Sequence, residues 1–458
     1  MPFAIGGNQL DTGYDISNSL RFNDGDSADL RLALGSSASG SNTNASFSFW
    51  IKRGSLENQQ ILYNHYVDAN NYFRINLRSH DAGSAPFGIE IVNIAGGSDA
   101  GSRTTNRVFR DSSAWMHIVV STDSDNSTNE DRVKLYINGT RYQDWASTAT
   151  WASTFKHFAD NANIFIGTRE GSAQYYDGYI TEVNAIDGVE YDASFFGEFN
   201  DDGVWIPKQY TGGYGNNGHF LQFKQTGTSA NSSGIGADTS GNDKHFTPTN
   251  LAAIDVTTDT CTNNFCTLNF LDKASAITTS EGNTLASASS SHSAIRGTFG
   301  LRSGKWYWEN KIVSISGGSA VGVMTADAKL SDQLNSTASR FYRNGGQKFS
   351  NGTETSSYGA SFTTNDIIGI ALNLDDGEIT FFKNGSTQGV AFTDLLSATN
   401  ESWLPAIKLF DEAINVNFGN PSFSISSGNA DGEGFGNFEY APPSGFFALN
   451  TKNLAEYG

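Results

Sequence analysis

The sequence predicts an all-β chain made of two tandem antiparallel β-sandwiches. Composition is the first reason: 32 Phe, 17 Tyr and 49 Gly against only 3 Met suit strands and turns better than helices. Period is the second, because apolar and polar residues alternate in short runs bounded by turn residues. Helical periodicity is confined to possible turns near 191–199 and 326–334. An internal echo is the third: Tyr136-Ile137-Asn138-Gly139-Thr140 has a counterpart in Phe382-Lys383-Asn384-Gly385-Ser386. One core does not usually grow to 458 residues, so the repetition is read as two sandwiches rather than one.

In the first half, Ser46-Phe47-Ser48-Phe49-Trp50-Ile51 alternates small polar with large apolar residues, as a half-buried strand does. Trp115-Met116-His117-Ile118-Val119-Val120 is apolar nearly throughout, which predicts burial on both faces. Val133, Leu135 and Ile137 alternate with polar neighbours and run into Asn138-Gly139, a pair that tolerates positive φ and closes a two-residue hairpin. In the second half, Trp306 and Trp308 share one face of a strand. Ile368, Ile370, Leu372 and Leu374 alternate into the turn Asp375-Asp376-Gly377, and Asn384-Gly385 closes another hairpin. Trp50, Trp115, Trp306 and Trp308 are expected in the cores.

The expected organisation is an amino-terminal arm (1–16), a first sandwich (17–200), a Gly/Asn/Ser-rich bridge (201–265), a second sandwich (266–421) and an aromatic tail (422–458). The bridge contains a strand candidate, His219-Phe220-Leu221-Gln222-Phe223. The tail, with Phe423, Phe435, Phe438, Tyr440, Phe446 and Phe447, is expected to pack on the second sandwich or on a neighbouring chain.

Charge and cysteine content bound the function. Lys plus Arg is 29 and Asp plus Glu is 48, a formal net charge of −19. Such a chain repels a phosphate backbone, so no nucleic-acid partner is expected. No apolar run reaches ~18 residues, so no membrane insertion is expected. The start, Met1-Pro2-Phe3-Ala4-Ile5-Gly6-Gly7, has neither the basic segment nor the apolar stretch of a secretory signal. Cys261 and Cys266 would stand ~16 Å apart along an extended segment, beyond the ~7 Å reach of a disulfide. They are expected as free thiols of a protein made in a reducing compartment.

Specific blocks carry a resemblance to known families. Ser19-Leu20-Arg21-Phe22-Asn23, Phe47-Ser48-Phe49-Trp50-Ile51-Lys52, Lys134-Leu135-Tyr136-Ile137-Asn138-Gly139, Ile164-Phe165-Ile166-Gly167 and Tyr176-Asp177-Gly178-Tyr179-Ile180 make the first sandwich similar to a concanavalin-like jelly roll of the laminin-G type. Ser303-Gly304-Lys305-Trp306-Tyr307-Trp308-Glu309, Val321-Gly322-Val323, Trp403-Leu404-Pro405-Ala406 and Val416-Asn417-Phe418-Gly419 make the second similar to a SPRY domain. The combination, with the intervening segment and Pro442-Pro443-Ser444-Gly445-Phe446, resembles virion proteins of tailed, marine or cyanophage-like bacteriophages. That resemblance implies a tail fibre or knob on the particle surface that attaches to a host-surface glycan without catalysis. It also implies other virion proteins as partners, assembly in the host cytoplasm and, by analogy, a homo-oligomer such as a trimer. The alternatives are a structural decoration of capsid or tail, or a polysaccharide depolymerase.

Hydrolases of the jelly-roll superfamily carry a strand with Glu-x-Asp-x-x-Glu, which sets two carboxylates on one face. No such spacing occurs here, and Glu198-Phe199-Asn200-Asp201-Asp202-Gly203 is expected as a turn. No Gly-x-Ser-x-Gly elbow occurs between a strand and a helix, and His117 is expected as a hydrogen-bonded core residue. Gly212-Gly213-Tyr214-Gly215 lacks the Lys-Ser/Thr ending of a phosphate loop. No cofactor is expected apart from calcium, for which Asn23, Asp24 and Asp26 offer hard oxygens in a turn; the same residues also serve ordinary turns. For sugar binding, aromatics beside amides and carboxylates are the useful signal. Tyr175, Tyr176 and Asp177 fit it, as do Tyr210, Tyr214, Asn216 and Asn217, while packing of a Gly-rich connection would use the same residues.

Overall fold

The computed structural model describes residues 13–35, 40, 43–83, 85–152, 157–158, 161–289, 292–330, 338–350 and 352–458. The described residues form two compact units that divide between Thr262 and Asn263. Both are antiparallel β-sandwiches, as the alternation and turn pattern predict.

The first unit contains β1 (Ser19–Phe22), β2 (Asp29–Ala33), β3 (Asn44–Arg53), β4 (Gln60–Asp68), β5 (Asn71–Leu77), β6 (Ile89–Ala95), β7 (Ser98–Thr105), β8 (Met116–Asp123) and β9 (Val133–Ile137). It continues through β10 (Thr140–Tyr142), β11 (Trp145–Thr148), β12 (Asn163–Ile166), β13 (Gly178–Asp187), β14 (Gly197–Phe199), β15 (Trp205–Pro207), β16 (His219–Leu221), β17 (Thr247–Thr249) and β18 (Val256–Thr257). One sheet runs β10-β9-β8-β3-β13-β1-β18, with β16 also on β13, and the facing sheet runs β11-β7-β6-β5-β4-β12-β2-β17. Phe47, Phe49 and Ile51 of β3 and Ile118 and Val120 of β8 point between the sheets, where they meet Phe73, Ile75 and Ile164. The core is aromatic-rich: Phe47 stacks on Phe73 with ring centroids 5.2 Å apart.

The second unit has one sheet ordered Leu268–Lys273, Ser293–Gly297, Trp403–Leu409, Ala320–Thr325, Ser339–Arg343, Lys348–Ser350 and Thr353–Thr355. Its partner runs Ile277–Ser280, Leu285–Ala288, Glu412–Asn417, Lys305–Ser314, Ile367–Asn373, Glu378–Lys383 and Ser386–Phe392. Trp306, Trp308, Ile368, Ile370 and Leu372 are all buried between them. Two short helices, Leu395–Ala398 and Thr451–Tyr457, were not expected from the sequence. The second is capped by Asn450, whose side chain accepts from Asn453 N at 3.0 Å. Of the expected helical turns, the first contains a 3-10 turn at Ala193–Phe195, while 331–334 lies outside the described residues.

The internal echo is structural. Asn138 and Gly139 take φ of 45° and 78°, and Asn384 and Gly385 take 47° and 77°. Each glycine lies under an aromatic ring: a Cβ on Gly139 would meet Trp205 at 2.2 Å, and one on Gly385 would meet Tyr440 at 2.6 Å. In both units a ring from the chain that follows the hairpin returns to cover it at the edge of its sheet.

That return corrects the expected boundaries. Residues 201–262 are not a bridge but part of the first unit. β16 pairs with β13, β17 with β2 and β18 with β1. Asp259 accepts Lys52 Nζ at 2.6 Å in a fully buried ion pair and Trp115 Nε1 at 3.0 Å. The physical reason is that Trp50, Val119 and Ile186 face outward from β3, β8 and β13 and need cover. Tyr210, Tyr214 and Phe220 cover Val119 and Ile186, and Ile16 and Cys261 cover Trp50. Burial of β8 on both faces follows. Trp50, Trp306 and Trp308 are buried, whereas Trp115 is only partly so. Of the expected arm, 1–12 lies outside the described residues.

The tail packs on the second sandwich. Phe447 and Ala448 pair in parallel with Trp306 and Tyr307, and Phe438 packs edge-on to Tyr307 at 5.2 Å. Glu309, fully buried, accepts Glu439 N at 2.9 Å and Tyr440 N at 2.8 Å, which fastens the tail to the central strand. Both cysteines are free and buried.

Candidate functional site

Most of the residues expected to touch sugar are packed inside the first unit. Tyr176 is buried and its hydroxyl donates to Lys52 O at 2.9 Å. Asp177 is buried against Gly54. The Tyr210 hydroxyl donates to Gly213 O at 2.9 Å, and its ring packs on Phe196 and Tyr214. Tyr214 donates to Asn184 Oδ1 at 2.7 Å, and Asn217 donates to Asp187 Oδ2 from its backbone and side chain. These five are corrected: Tyr210, Tyr214 and Asn217 belong to the layer that covers β13 and β8, Tyr176 lies in the core between the sheets with Asp177 buried next to it, and buried rings have no face free for a sugar. Tyr175 is half-buried and Asn216 exposed, and the structure does not gather them with the others into one surface.

Asn23, Asp24 and Asp26 form a self-capped turn. Asn23 Oδ1 accepts from Gly25 N at 3.3 Å, and its Nδ2 donates to Asp26 Oδ2 at 2.9 Å. Burial raises the Asp24 carboxyl above its ordinary value, against the backbone hydrogen bond from Gly25. Among the described residues, no three His, Cys, Asp or Glu side chains gather as a metal site requires. His117 is the core residue expected: it is buried, its Nδ1 accepts Trp205 Nε1 at 3.0 Å, and its Nε2 meets Ser48 Oγ at 2.9 Å. Burial lowers its pKa to about 3, so the ring is neutral.

A different surface has the character of a site. The β10–β18 sheet is covered on its outer side, but the outer side of the facing sheet carries the half-buried rings of Tyr66 and Tyr72 beside the buried ring of Phe165. β2, β12, β4 and β5 are adjacent there, with Arg31 opposite Phe165, Phe165 opposite Asn64, Asn64 opposite Arg74 and Tyr66 opposite Tyr72. The rings form a ladder across these strands. Arg31 lies 5.4 Å over Phe165, Phe165 stands edge-on to Tyr66 at 6.4 Å, and Tyr66 stacks on Tyr72 at 6.5 Å. Arg74 caps Tyr72 at 4.8 Å. At ~4.8 Å per strand the four strands span ~14 Å, the scale of a short oligosaccharide.

At the Tyr66–Tyr72 end this face sinks into a pocket of about 180 Å³ lined by Asn64, Tyr66, Ala69, Tyr72, Arg74, Arg169 and Glu170. Arg169 and Glu170 come from the loop after β12, held down where Asn64 Nδ2 donates to Arg169 O. Glu170 Oε1 pairs with Arg169 at 2.9 Å. The hydrogen bond from Tyr66 and the Arg169 guanidinium hold the Glu170 carboxyl below its ordinary value, and the same bond raises the Tyr66 hydroxyl. Among the described residues, two buried polar atoms of the lining have no hydrogen-bond partner: Asn64 Oδ1, on a side chain 1% exposed, and Arg74 Nε. Leaving such atoms unpaired costs about 1–3 kcal/mol each, a cost that a hydrogen-bonding ligand removes. Farther along the face, Glu90 accepts Asn76 Nδ2 at 2.9 Å and Arg78 Nη1 at 2.7 Å.

Sequence reasoning missed every residue of this pocket. The signal was present in Tyr63-Asn64-His65-Tyr66 and Tyr72-Phe73-Arg74, where the outward positions of alternating strands hold rings, an amide and a guanidinium. It is legible only once the outer side of each sheet is known to be covered or bare.

Comparison with known proteins matches part of each unit to a described family. Residues 24–189 match the concanavalin A-like lectin/glucanases superfamily. Residues 305–421 match the SPRY domain, a stretch that takes in the second sandwich from Lys305 onward but not its first four strands. In this region the chain is 35% identical over 135 residues to the ATP-dependent RNA helicase Ddx1 of Drosophila melanogaster, covering 29% of this chain and 18% of that protein. It is 29% identical over 155 residues to the Xenopus laevis DDX1 helicase, covering 34% and 18%. The chain thus spans less than a fifth of these relatives. Among solved structures, the SPRY domain of human HERC1 aligns at 22% identity and a TM-score of 0.29, covering 32% of this chain and 96% of that one. A Bacteroides ovatus protein provisionally described as carbohydrate binding aligns at 12% identity and a TM-score of 0.36, covering 51% and 58%.

Proposed function

We propose that the protein is a non-catalytic glycan-binding protein that holds an oligosaccharide on the outer face of the β2-β12-β4-β5 strands. One observation carries this reading: unsatisfied Asn64 Oδ1 and Arg74 Nε lie in a pocket walled by Tyr66 and Tyr72 on the bare side of a sheet. Stacked rings offer a flat apolar surface to a sugar's C–H face, while amide and guanidinium take its hydroxyls. Glycosidic hydrolysis needs two carboxylates some 5–9 Å apart. The pocket lining has one, Glu170, already ion-paired, which supports binding without turnover.

The resemblance to tailed-phage virion proteins extends the reading to attachment. The protein belongs on the particle surface as a tail fibre or knob, with several copies turning weak sugar contacts into avidity. Its −19 charge suits an exterior part kept away from packaged DNA.

The test is a glycan array probed with the full chain and with Tyr72→Ala. Wild type is expected to retain a defined set of glycans, and the variant to lose them by tenfold or more at unchanged melting temperature. No retention by wild type overturns the glycan reading. Imaging of purified virions with the chain traced in the map tests the location: density at the tail supports attachment, a capsid-lattice position supports decoration, and absence from the particle overturns the virion assignment.

A further inference from the structure

We infer that the ligand of this pocket is an acidic sugar, recognised through a carboxylate or sulfate that seats on Arg74. The inference rests on the glycan reading above and specifies the class of glycan.

The argument starts from an imbalance. Across the whole chain acids outnumber bases 48 to 29, yet the pocket lining holds two guanidiniums and one carboxylate. Glu170 is already matched to Arg169, leaving Arg74 as the surplus charge. Among the described residues Arg74 makes no ion pair. Its guanidinium rests on the Tyr72 ring at 4.8 Å, which fixes its plane, and its Nε is buried without a hydrogen-bond partner. A guanidinium presents Nε and one Nη as a planar fork that matches the two oxygens of a carboxylate or of a sulfate ester. A neutral hydroxyl can satisfy only one prong.

The neighbouring arginines on this face show what Arg74 lacks. Arg78 donates to Glu90 at 2.7 Å, Arg169 to Glu170 at 2.9 Å, and Arg31 donates from Nε and Nη2 to the Asn163 amide oxygen. Each of these three guanidiniums has an acceptor on the protein, although Arg78 Nε, like Arg74 Nε, has none; what sets Arg74 apart among the described residues is that it has no ion-pair or amide acceptor of its own. Asn64, directly opposite Arg74 in the β4–β5 register, offers its bare Oδ1 to a hydroxyl beside the anion. A sugar bearing both groups would satisfy both atoms at once. The overall negative charge does not forbid this, because at physiological ionic strength interactions beyond about 8 Å are screened and the local pair dominates.

The test compares three oligosaccharides of matched length by titration calorimetry with the full chain: a neutral glucan, a polyuronate and a sulfated galactan. The expected result is at least tenfold tighter binding of the polyuronate or the sulfated sugar than of the neutral one, with the stronger of the two identifying the anion. Arg74→Gln should erase that preference, while Lys208→Gln, outside the site, should leave it intact. Should Arg74→Gln fail to fold, phenylglyoxal labelling of the wild type replaces it: the favoured acidic sugar should protect the Arg74 peptide, and the neutral sugar should not. Neutral sugar bound as tightly as acidic, or no protection of Arg74, overturns this inference and leaves the glycan reading standing. Absence of binding by all three and on the array overturns both.

Discussion

Glu309 couples the stability of the second unit to pH through a single buried carboxyl. It lies on the central strand Lys305–Ser314, fully buried, and accepts from Glu439 N, Tyr440 N, Tyr307 Oη and Asn417 Nδ2. Burial outweighs these four donors and raises its pKa from the ordinary 4.5 to about 7. An acid whose pKa is higher folded than unfolded binds its proton more tightly in the fold. Its contribution is therefore complete below pH 4.5 and is lost as the pH rises through 7. The difference corresponds to about 3 kcal/mol. Glu309→Gln keeps the shape but turns an NH2 towards two donors whichever way the amide lies, costing about 2–4 kcal/mol at low pH. It also removes the titration. Urea unfolding at pH 5, 6, 7 and 8, with hydrogen exchange of the 437–441 amides read by mass spectrometry, measures both effects. Wild type should weaken and its tail should exchange faster between pH 5 and 8, while the variant should be weaker at pH 5 and flat thereafter. Parallel pH profiles for the two proteins would refute the account of Glu309 as the titrating anchor.

Other outcomes follow from the same structure. Gly139→Ala and Gly385→Ala each place a Cβ at positive φ against Trp205 or Tyr440, so each should lower stability by about 1–3 kcal/mol, with Gly385→Ala also loosening the tail, as thermal melts and hydrogen exchange would show. Burial lowers His65 and His219 to about 4 and His117 to about 3, so the first unit should hold its full histidine contribution above pH 6.5 and lose it as the pH falls through 4. A urea midpoint for first-unit peptides that stays level from pH 6.5 to 4 would contradict this. The pocket contacts sugar through rings, amide and guanidinium, so EDTA should leave glycan affinity unchanged in calorimetry, and a tenfold loss would return calcium and the Asn23 turn to the binding mechanism.

The strands were legible because their information is local. Phe47, Phe49 and Ile51 alternate with smaller or outward residues in one stretch, and Asn138-Gly139 and Asn384-Gly385 hold positive φ that few other dipeptides accept. The family blocks lie in those same strands, so the two sandwiches and their matches at 24–189 and 305–421 agree with what the sequence predicts. The free thiols were equally legible from the spacing of Cys261 and Cys266, and His117 from its apolar strand, although the partners that hold it, Ser48 and Trp205, lie far away in the chain.

Boundaries and the site were not, because both depend on which sheet face stays bare. The 201–262 segment is poor in apolar residues, yet its few rings cover Trp50, Val119 and Ile186, and that covering buries Tyr210, Tyr214 and Asn217, the residues whose types best fit a sugar site. Tyr66, Tyr72 and Arg74 look in sequence like any outward strand positions, and Arg169 comes from a loop 95 positions beyond Arg74. Residue chemistry and period were sufficient to determine two β-sandwiches. Only the tertiary structure decided which aromatics became core and which became a surface, because exposure is set by pairing between strands distant in the chain.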